Sequence, residues 1–152
     1  MSYNLSKKAD ISKLIVDSYK NWTGKSLLED SLSQEEISEA LFSLPAVVVS
    51  HDNQADPIFH YGNKAALDLW ELDLQEFLET PSRNTTELVV QEERAKLLEE
   101  VNKNGFIDNY SGVRISSTGK RFYIKQATVW NLINKNNEYL GQAASFSDWE
   151  YL

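Results

Sequence analysis

The sequence of 152 residues contains no cysteine, only three prolines and no long apolar run. The absence of cysteine excludes disulfides, thiolate metal ligands and cysteine nucleophiles. No segment approaches the roughly 20 apolar residues of a membrane-spanning helix. The first eight residues also lack the apolar stretch of a signal peptide. We therefore expect a cytoplasmic protein without a membrane partner.

Positive charge is also scarce, with 15 basic against 23 acidic residues and a formal net charge of −8. Such a charge repels phosphate backbones, and so nucleic acid is not expected as a partner. The composition is otherwise that of a globular domain, with 41% hydrophobic and 25% charged residues. A chain of this length suffices for one domain with its own core.

The first 45 residues predict two helices. Apolar side chains recur at spacings of three and four residues in the first, and Gly24 follows as a typical helix-ending glycine. Ser33 and Glu36 have the spacing of a capping box that begins the second. We predict that residues 1–45 form a helical extension packed on the sheet or on a partner subunit, because short amphipathic helices do not fold alone. Its apolar stripe comprises Ile11, Leu14, Ile15, Tyr19 and Trp22.

Residues 46–152 predict two strands, a helical segment and three further strands. Asn63 has the position of a helix N-cap, and Asp73 and Glu76 form another capping box. A longer helix follows and ends at Gly105. This order is typical of an α+β domain in which an antiparallel sheet carries helices on one face. The inward face of the longer helix is predicted to comprise Val90, Leu97, Leu98 and Val101.

The strand predicted over residues 121–133 has mixed polarity on both of its faces. Strict alternation places Phe122, Gln126 and Trp130 on one face. It places Tyr123 on the other face, together with both polar and apolar side chains. The pattern therefore does not decide which face of this strand points to the core.

The order of the segments resembles a PAS fold, and several stretches resemble the MEKHLA domain, a PAS-like family. The N-terminal helices are consistent with a stand-alone bacterial or algal member of the family that the chain resembles. The resemblance implies a five-stranded antiparallel sheet in the order 2-1-5-4-3 over residues 46–152. It also implies a non-catalytic sensory or regulatory role through binding of a small ligand or a protein partner. The stretches that carry the resemblance are Ser50–Asp52, Asn63–Trp70, Pro81–Arg83, Tyr110–Ser116, Val129–Leu132 and Gly141–Ala144.

The resemblance does not identify a cofactor. Light-sensing relatives form a flavin adduct on a cysteine that precedes an arginine, and Ser82–Arg83 is the nearest equivalent here. A serine hydroxyl is not acidic enough to replace the thiol, so no cysteinyl-flavin adduct is expected. Non-covalent flavin stays open because Gln142 falls where such relatives place a flavin-contacting glutamine. Haem is not expected, because relatives take its axial histidine from the long helix and residues 88–104 contain none.

The resemblance implies a cavity between the inner sheet face and the helices, where we expect a ligand to bind. Arg83 and Arg114 suit a carboxylate or phosphate ligand because a guanidinium binds such groups through two hydrogen bonds, and internal ion pairs explain them equally well. His51 and His60 lack the ligand spacing of a metal site, so no metal is assigned. The predicted ligand-binding residues are His60, Asn63, Trp70, Ser82, Arg83, Tyr110, Arg114, Trp130 and Gln142.

Two other interpretations are left open. A helix-free sheet face exposes apolar side chains, and we therefore expect a homodimer formed through the N-terminal stripe. A monomer whose helices cover their own sheet is the alternative. If it forms this homodimer, the chain would be a homodimerisation or protein-interaction module without a ligand.

A cone-shaped isomerase or dehydratase fold is the second interpretation, although the helices within residues 63–104 interrupt the strands too early for it. No catalytic motif is present, and no catalytic residue is predicted.

Overall fold

The secondary structure follows the predicted order, with one additional strand. The computed structural model describes residues 7–85 and 91–152. The helices are α1 (Lys8–Thr23), α2 (Gln34–Phe42), α3 (Lys64–Trp70), α4 (Leu74–Phe77) and α5 (Gln91–Asn104), and a short 3-10 helix spans Ser82–Thr85. The strands are β1 (Val47–His51), β2 (Phe59–Gly62), β3 (Phe106–Ile115), β4 (Arg121–Ile133), β5 (Tyr139–Phe146) and β6 (Asp148–Tyr151).

The strands form an antiparallel sheet in the order β2-β1-β5-β4-β3. This confirms the predicted α+β class and the strand order 2-1-5-4-3. β6 was not predicted from the sequence; it follows β5 after the single residue Ser147. Both strands pair with β4, β5 along Thr128–Ile133 and β6 along Phe122–Lys125. The length of β4 therefore allows it to pair with two successive segments on the same side.

Local signals in the sequence set the ends of the helices. Gly24 ends α1 with a left-handed φ of 73° and donates its backbone N–H to the carbonyl of Lys20 at 2.9 Å. Ser33 and Glu36 form the predicted capping box of α2, and an equivalent box begins α4. Each box satisfies two amides that have no partner within the helix.

Helices cover both faces of the sheet. The inner face packs against α3, α4 and α5, and its core gathers around Trp70 and Phe77. The outer face packs against α1, whose wholly buried Leu14 and Ile15 cluster with Trp130 of β4. The described part of the helical extension therefore packs on the sheet of its own chain, on the face opposite α3–α5.

Two tryptophan side chains bind α1 to β4 in opposite directions. The indole of Trp130 in β4 donates to the carbonyl of Ile15 in α1 at 3.2 Å. The indole of Trp22 near the end of α1 donates to the carbonyl of Asn131 at 2.9 Å. Tyr19 adds an edge-to-face contact with Trp130, with 4.9 Å between ring centroids. The outer layer thus combines apolar packing with hydrogen bonds that satisfy buried indole groups.

A left-handed residue inside β4 changes which side chains face the core. Gln126 has a φ of 50°, and the alternation of side chains shifts by one residue at this position. Phe122 and Ile124 before it share the inner face with Ala127 and Val129 after it. The mixed pattern in the sequence therefore results from a change of phase within one strand.

Part of the predicted core of α5 is confirmed. Leu97 and Val101 are buried and pack against the sheet. Val90 and the side chain of Leu98 lie outside the part of the chain that the structure describes, as do residues 1–6 of the extension. None of the described helices is long and apolar enough to cross a membrane.

Asn63 joins three elements through a wholly buried side chain. Its Oδ1 accepts hydrogen bonds from the backbone N–H of Val48 in β1 and of Ala66 in α3, at 3.0 and 3.1 Å. Its Nδ2 donates to the carbonyls of Leu41 in α2 and of Ala46, at 3.2 and 2.8 Å. All four hydrogen-bonding positions of the amide are therefore used.

We predict that Asn63→Ala lowers the free energy of unfolding by about 3 kcal/mol, because it removes a helix cap and leaves several buried backbone groups unpaired. Urea denaturation measures this loss. The control Asn102→Ala, at an exposed position of α5, should change it by no more than about 0.5 kcal/mol. A loss below about 1 kcal/mol for Asn63→Ala would contradict the role given to this side chain.

A pair of glycines tests the packing of α1. Gly105 and Gly119 have left-handed φ values of 85° and 89°. A Cβ at position 105 would clash with Cε3 of Trp22, whereas a Cβ at position 119 would meet nothing within 4 Å. We predict that Gly119→Ala costs about 1 kcal/mol of unfolding free energy and that Gly105→Ala costs a further 1–3 kcal/mol or so. Equal losses in thermal denaturation would show that Trp22 does not pack there.

Candidate ligand cavity

A cavity of about 70 Å³ lies between the inner sheet face and the helical side of the domain. A bound water needs about 10–15 Å³ of such space, so the cavity has room for about five non-hydrogen atoms. β1, β4 and β5 form one wall, and α3, the 3-10 helix and α5 contribute to the opposite side. Its apolar lining includes Val49, Phe59, Ile124, Val129 and Phe146.

Small side chains on adjacent strands create the space. Ala127 of β4 and Ala144 of β5 line the cavity, and both lie on the inner face between larger residues. A leucine or valine at either position would fill part of it. Neither alanine was predicted from the sequence, because their inner position depends on the phase of β4 and on the pairing of Val129 with Ala144.

Aromatic rings surround Trp70, which also lines the cavity. The ring centroids of Phe122 and Phe146 lie 5.4 and 6.2 Å from that of Trp70, both in edge-to-face geometry. The indole Nε1 of Trp70 is buried and has no hydrogen-bond partner among the described residues. An unpaired buried donor costs about 1–3 kcal/mol, so an acceptor that reached this group would be favoured.

Arg114 of β3 brings a positive charge to the same cavity. Its Nη1 donates to the carbonyl of Val113 at 2.9 Å, and its guanidinium carbon lies 5.3 Å from the ring centroid of Tyr110. Gly112 leaves room for this arrangement, since a Cβ there would lie 2.4 Å from the Tyr110 hydroxyl and 3.4 Å from Nη1 of Arg114. The ring of Tyr110 and the backbone therefore hold the guanidinium at the wall of the cavity.

Gln142 of β5 lines the cavity as well. Its Nε2 donates to Oδ1 of the cross-strand neighbour Asn131 at 3.3 Å. Asn131 in turn donates through Nδ2 to the carbonyl of Val101 in α5 at 3.5 Å. A chain of polar contacts therefore runs from the cavity wall to the last turn of α5.

The structure brings five of the predicted ligand-binding residues together at the cavity and places four elsewhere. Asn63 forms the buried junction described above, and Trp130 packs under α1 on the outer face. Arg83 is exposed and its Nε lies 3.0 Å from Oδ1 of Asp56. His60, the fourth, lies on β2. The residues that line the cavity are Trp70, Ser82, Tyr110, Arg114 and Gln142.

His60 lies beside a surface groove, separate from the cavity. Its Nδ1 is 2.8 Å from Oγ of Ser50, and its Nε2 is buried without a hydrogen-bond partner among the described residues. Burial, and after it the neighbouring His51, lowers the pKa of His60 to about 4. In residues 7–85 and 91–152, no group of three or more histidine, aspartate or glutamate side chains is arranged to hold a metal ion.

The pKa of His60 predicts a loss of stability in acid. Its value in the folded chain, about 4, lies below the ordinary value of 6.5, so the unfolded chain takes up the proton first as the pH falls. The contribution of His60 is fully present above pH 6.5 and is lost between pH 6.5 and about 4, by up to about 3 kcal/mol. Urea denaturation across this range should show a steep loss in the wild type and a shallower one in His60→Gln. Parallel curves would contradict the assignment.

Solved structures that this chain resembles define its fold as that of PAS domains. A PAS domain from Colwellia psychrerythraea aligns with a TM-score of 0.65 at 13% identity, covering 78% of this chain and 95% of that one. An RNA-binding Light-Oxygen-Voltage receptor aligns with a TM-score of 0.64 at 14% identity, covering 80% of this chain and 34% of that one. The light-state dimer of the fungal blue-light photoreceptor Vivid aligns with a TM-score of 0.61 at 14% identity, covering 90% of this chain and 92% of that one.

The chain belongs to the MEKHLA domain family, whose model matches residues 9–151. Two curated plant proteins are similar to it over 93% of this chain. The homeobox-leucine zipper protein HOX32 of Oryza sativa subsp. japonica is 24% identical over 147 residues. The homeobox-leucine zipper protein REVOLUTA of Arabidopsis thaliana is 26% identical over 152 residues. The chain spans 17% and 18% of the length of these relatives.

Proposed function

We propose that this chain is a non-catalytic sensory module that binds a small molecule in the cavity between the sheet and α3–α5. The observation that supports this most directly is the cavity itself, in which an apolar lining meets a few polar groups. Its volume of about 70 Å³ favours a ligand of about five non-hydrogen atoms.

The cavity that the described residues form is too small for a flavin. Room for about five non-hydrogen atoms is far below the size of a three-ring isoalloxazine. Ser82 at the cavity also lacks the thiol on which light-sensing relatives form an adduct. We therefore propose a small metabolite as the ligand rather than a flavin.

β4 provides a route by which ligand binding could change the outer surface. Val129 lines the cavity, and its neighbour Trp130 lies on the other face and donates to Ile15 of α1. A ligand that shifts β4 would therefore move α1 through this hydrogen bond and the surrounding contacts. A protein partner would recognise the changed position of α1. The cytoplasmic location predicted from the sequence would give such a partner access to this surface.

Homodimerisation through the α1 stripe stays a prediction. Ile11, Leu14 and Ile15 are buried against the sheet of the same chain, so a dimer that uses them requires the exchange of α1 between subunits. Tyr19 and Trp22 are less buried and also contact β4. Light scattering that gives twice the monomer mass at micromolar concentration would support the predicted dimer, and a monomer mass would contradict it.

The proposed ligand site predicts which substitution blocks binding. We expect at least one compound in a panel of carboxylates, amides and alcohols of about five non-hydrogen atoms to bind the wild type. Ala144→Leu should weaken that binding at least tenfold, because the larger side chain fills the cavity. Ligand-observed NMR measures the affinities, and circular dichroism checks that the variant is folded.

Ala95→Leu is the matched control, because Ala95 is an exposed residue of α5. It should bind the same compound as the wild type. The proposed function would be contradicted if no compound of the panel bound the wild type, or if Ala144→Leu bound as tightly as Ala95→Leu.

A further inference from the structure

The cavity has an unbalanced charge. Arg114 is the only arginine, lysine, aspartate or glutamate among the described residues that line it. This lone cation stands in a protein of formal net charge −8. We propose that the ligand of the cavity is a small anion, a carboxylate or an inorganic oxoanion, bound by the guanidinium of Arg114; this inference rests on the proposed function.

Arg114 differs from Arg83 and Lys120 in its surroundings. Arg83 pairs with Asp56 at 3.0 Å, and Lys120 pairs with Glu71 at 3.3 Å. Within the described part of the chain, no carboxylate lies within 4.0 Å of the Arg114 guanidinium. A half-buried cation without a counter-ion is unfavourable, and a bound anion supplies the missing charge.

The guanidinium is held in place before a ligand arrives. Nη1 donates to the carbonyl of Val113, and the ring of Tyr110 lies against the group at 5.3 Å. The hydrogen bond to Val113 uses one of the five N–H donors of the guanidinium, and these contacts leave the other four for a ligand. Such fixed geometry lowers the entropy lost when an anion binds.

A second donor, on another residue that lines the cavity, supports the same class of ligand. The buried indole N–H of Trp70 donates to no described residue, and it cannot accept a hydrogen bond. Arginine likewise only donates. A ligand that satisfies both groups must present hydrogen-bond acceptors. An anion presents such acceptors together with the negative charge that balances Arg114.

The test compares molecules of equal size and different charge. Propionate and propionamide both have the size that the cavity admits, and inorganic phosphate provides the oxoanion arm. We expect the wild type at pH 7 and constant ionic strength to bind propionate or phosphate at least tenfold more tightly than propionamide, as measured by isothermal titration calorimetry. Binding of propionate alone identifies a carboxylate ligand, and binding of phosphate alone identifies an oxoanion ligand; either supports the proposal.

Two variants that each remove one positive charge show which arginine binds the anion. Arg114→Gln should lose at least a factor of ten in anion affinity. Arg83→Gln, at the exposed ion pair, should bind as the wild type does. Arg114→Lys, which is less disruptive to folding, should bind the anion more weakly than the wild type because one ammonium replaces the planar guanidinium.

The proposal is overturned if neither anion binds the wild type, or if propionamide binds as tightly as the better anion. It is also overturned if Arg114→Gln or Arg114→Lys keeps the wild-type affinity. In these cases the proposed function stands as long as some neutral compound binds the wild type and is blocked by Ala144→Leu. Failure of the anion assignment is thereby distinguished from failure of the cavity as a ligand site.

Discussion

The register of β4 determines both the cavity and the outer helical layer. Adjacent residues of a strand point to opposite faces, so Val129 lines the cavity while Trp130 packs under α1. A slip of one residue in the second half of the strand would turn the indole of Trp130 into the cavity and remove its hydrogen bond to Ile15. Gln126 sets this register through its left-handed backbone, and the pairing with β5 maintains it. One strand therefore connects the proposed ligand site to the surface that α1 covers.

Hydrogen bonding distinguishes the buried polar group that joins elements of the fold from the polar groups at the proposed ligand site. Asn63 is wholly buried with all its hydrogen-bonding positions used, which is the expected state of a group that stabilises the fold. The indole of Trp70 and the guanidinium of Arg114 are different. Neither has a full set of partners in the described residues, and both belong to the cavity wall. A ligand that accepts hydrogen bonds from these unpaired donors would therefore gain binding free energy.

The sequence predicted what depends on local chemistry. The capping box of Ser33 and the glycine at position 24 act within a few residues, so the helix ends could be derived from spacing alone. The inner face of β4 could not, because no residue type requires the positive φ that Gln126 adopts. Arg83 and Arg114 were equivalent in the sequence for a similar reason. Only the tertiary fold brings Asp56 to one of them and leaves the other at the cavity.

The proposed ligand binds on one face of the sheet, and the N-terminal helix packs on the other. The indole N–H signals of Trp70 and Trp130 report on these two faces in a nitrogen-15 correlation NMR spectrum, because Trp70 lines the cavity and Trp130 donates to Ile15. During a titration with propionate, the account predicts a progressive, saturable shift of the Trp70 signal that is larger than that of Trp130. A Trp70 signal that stays in place while the Trp130 signal moves would contradict ligand binding in this cavity.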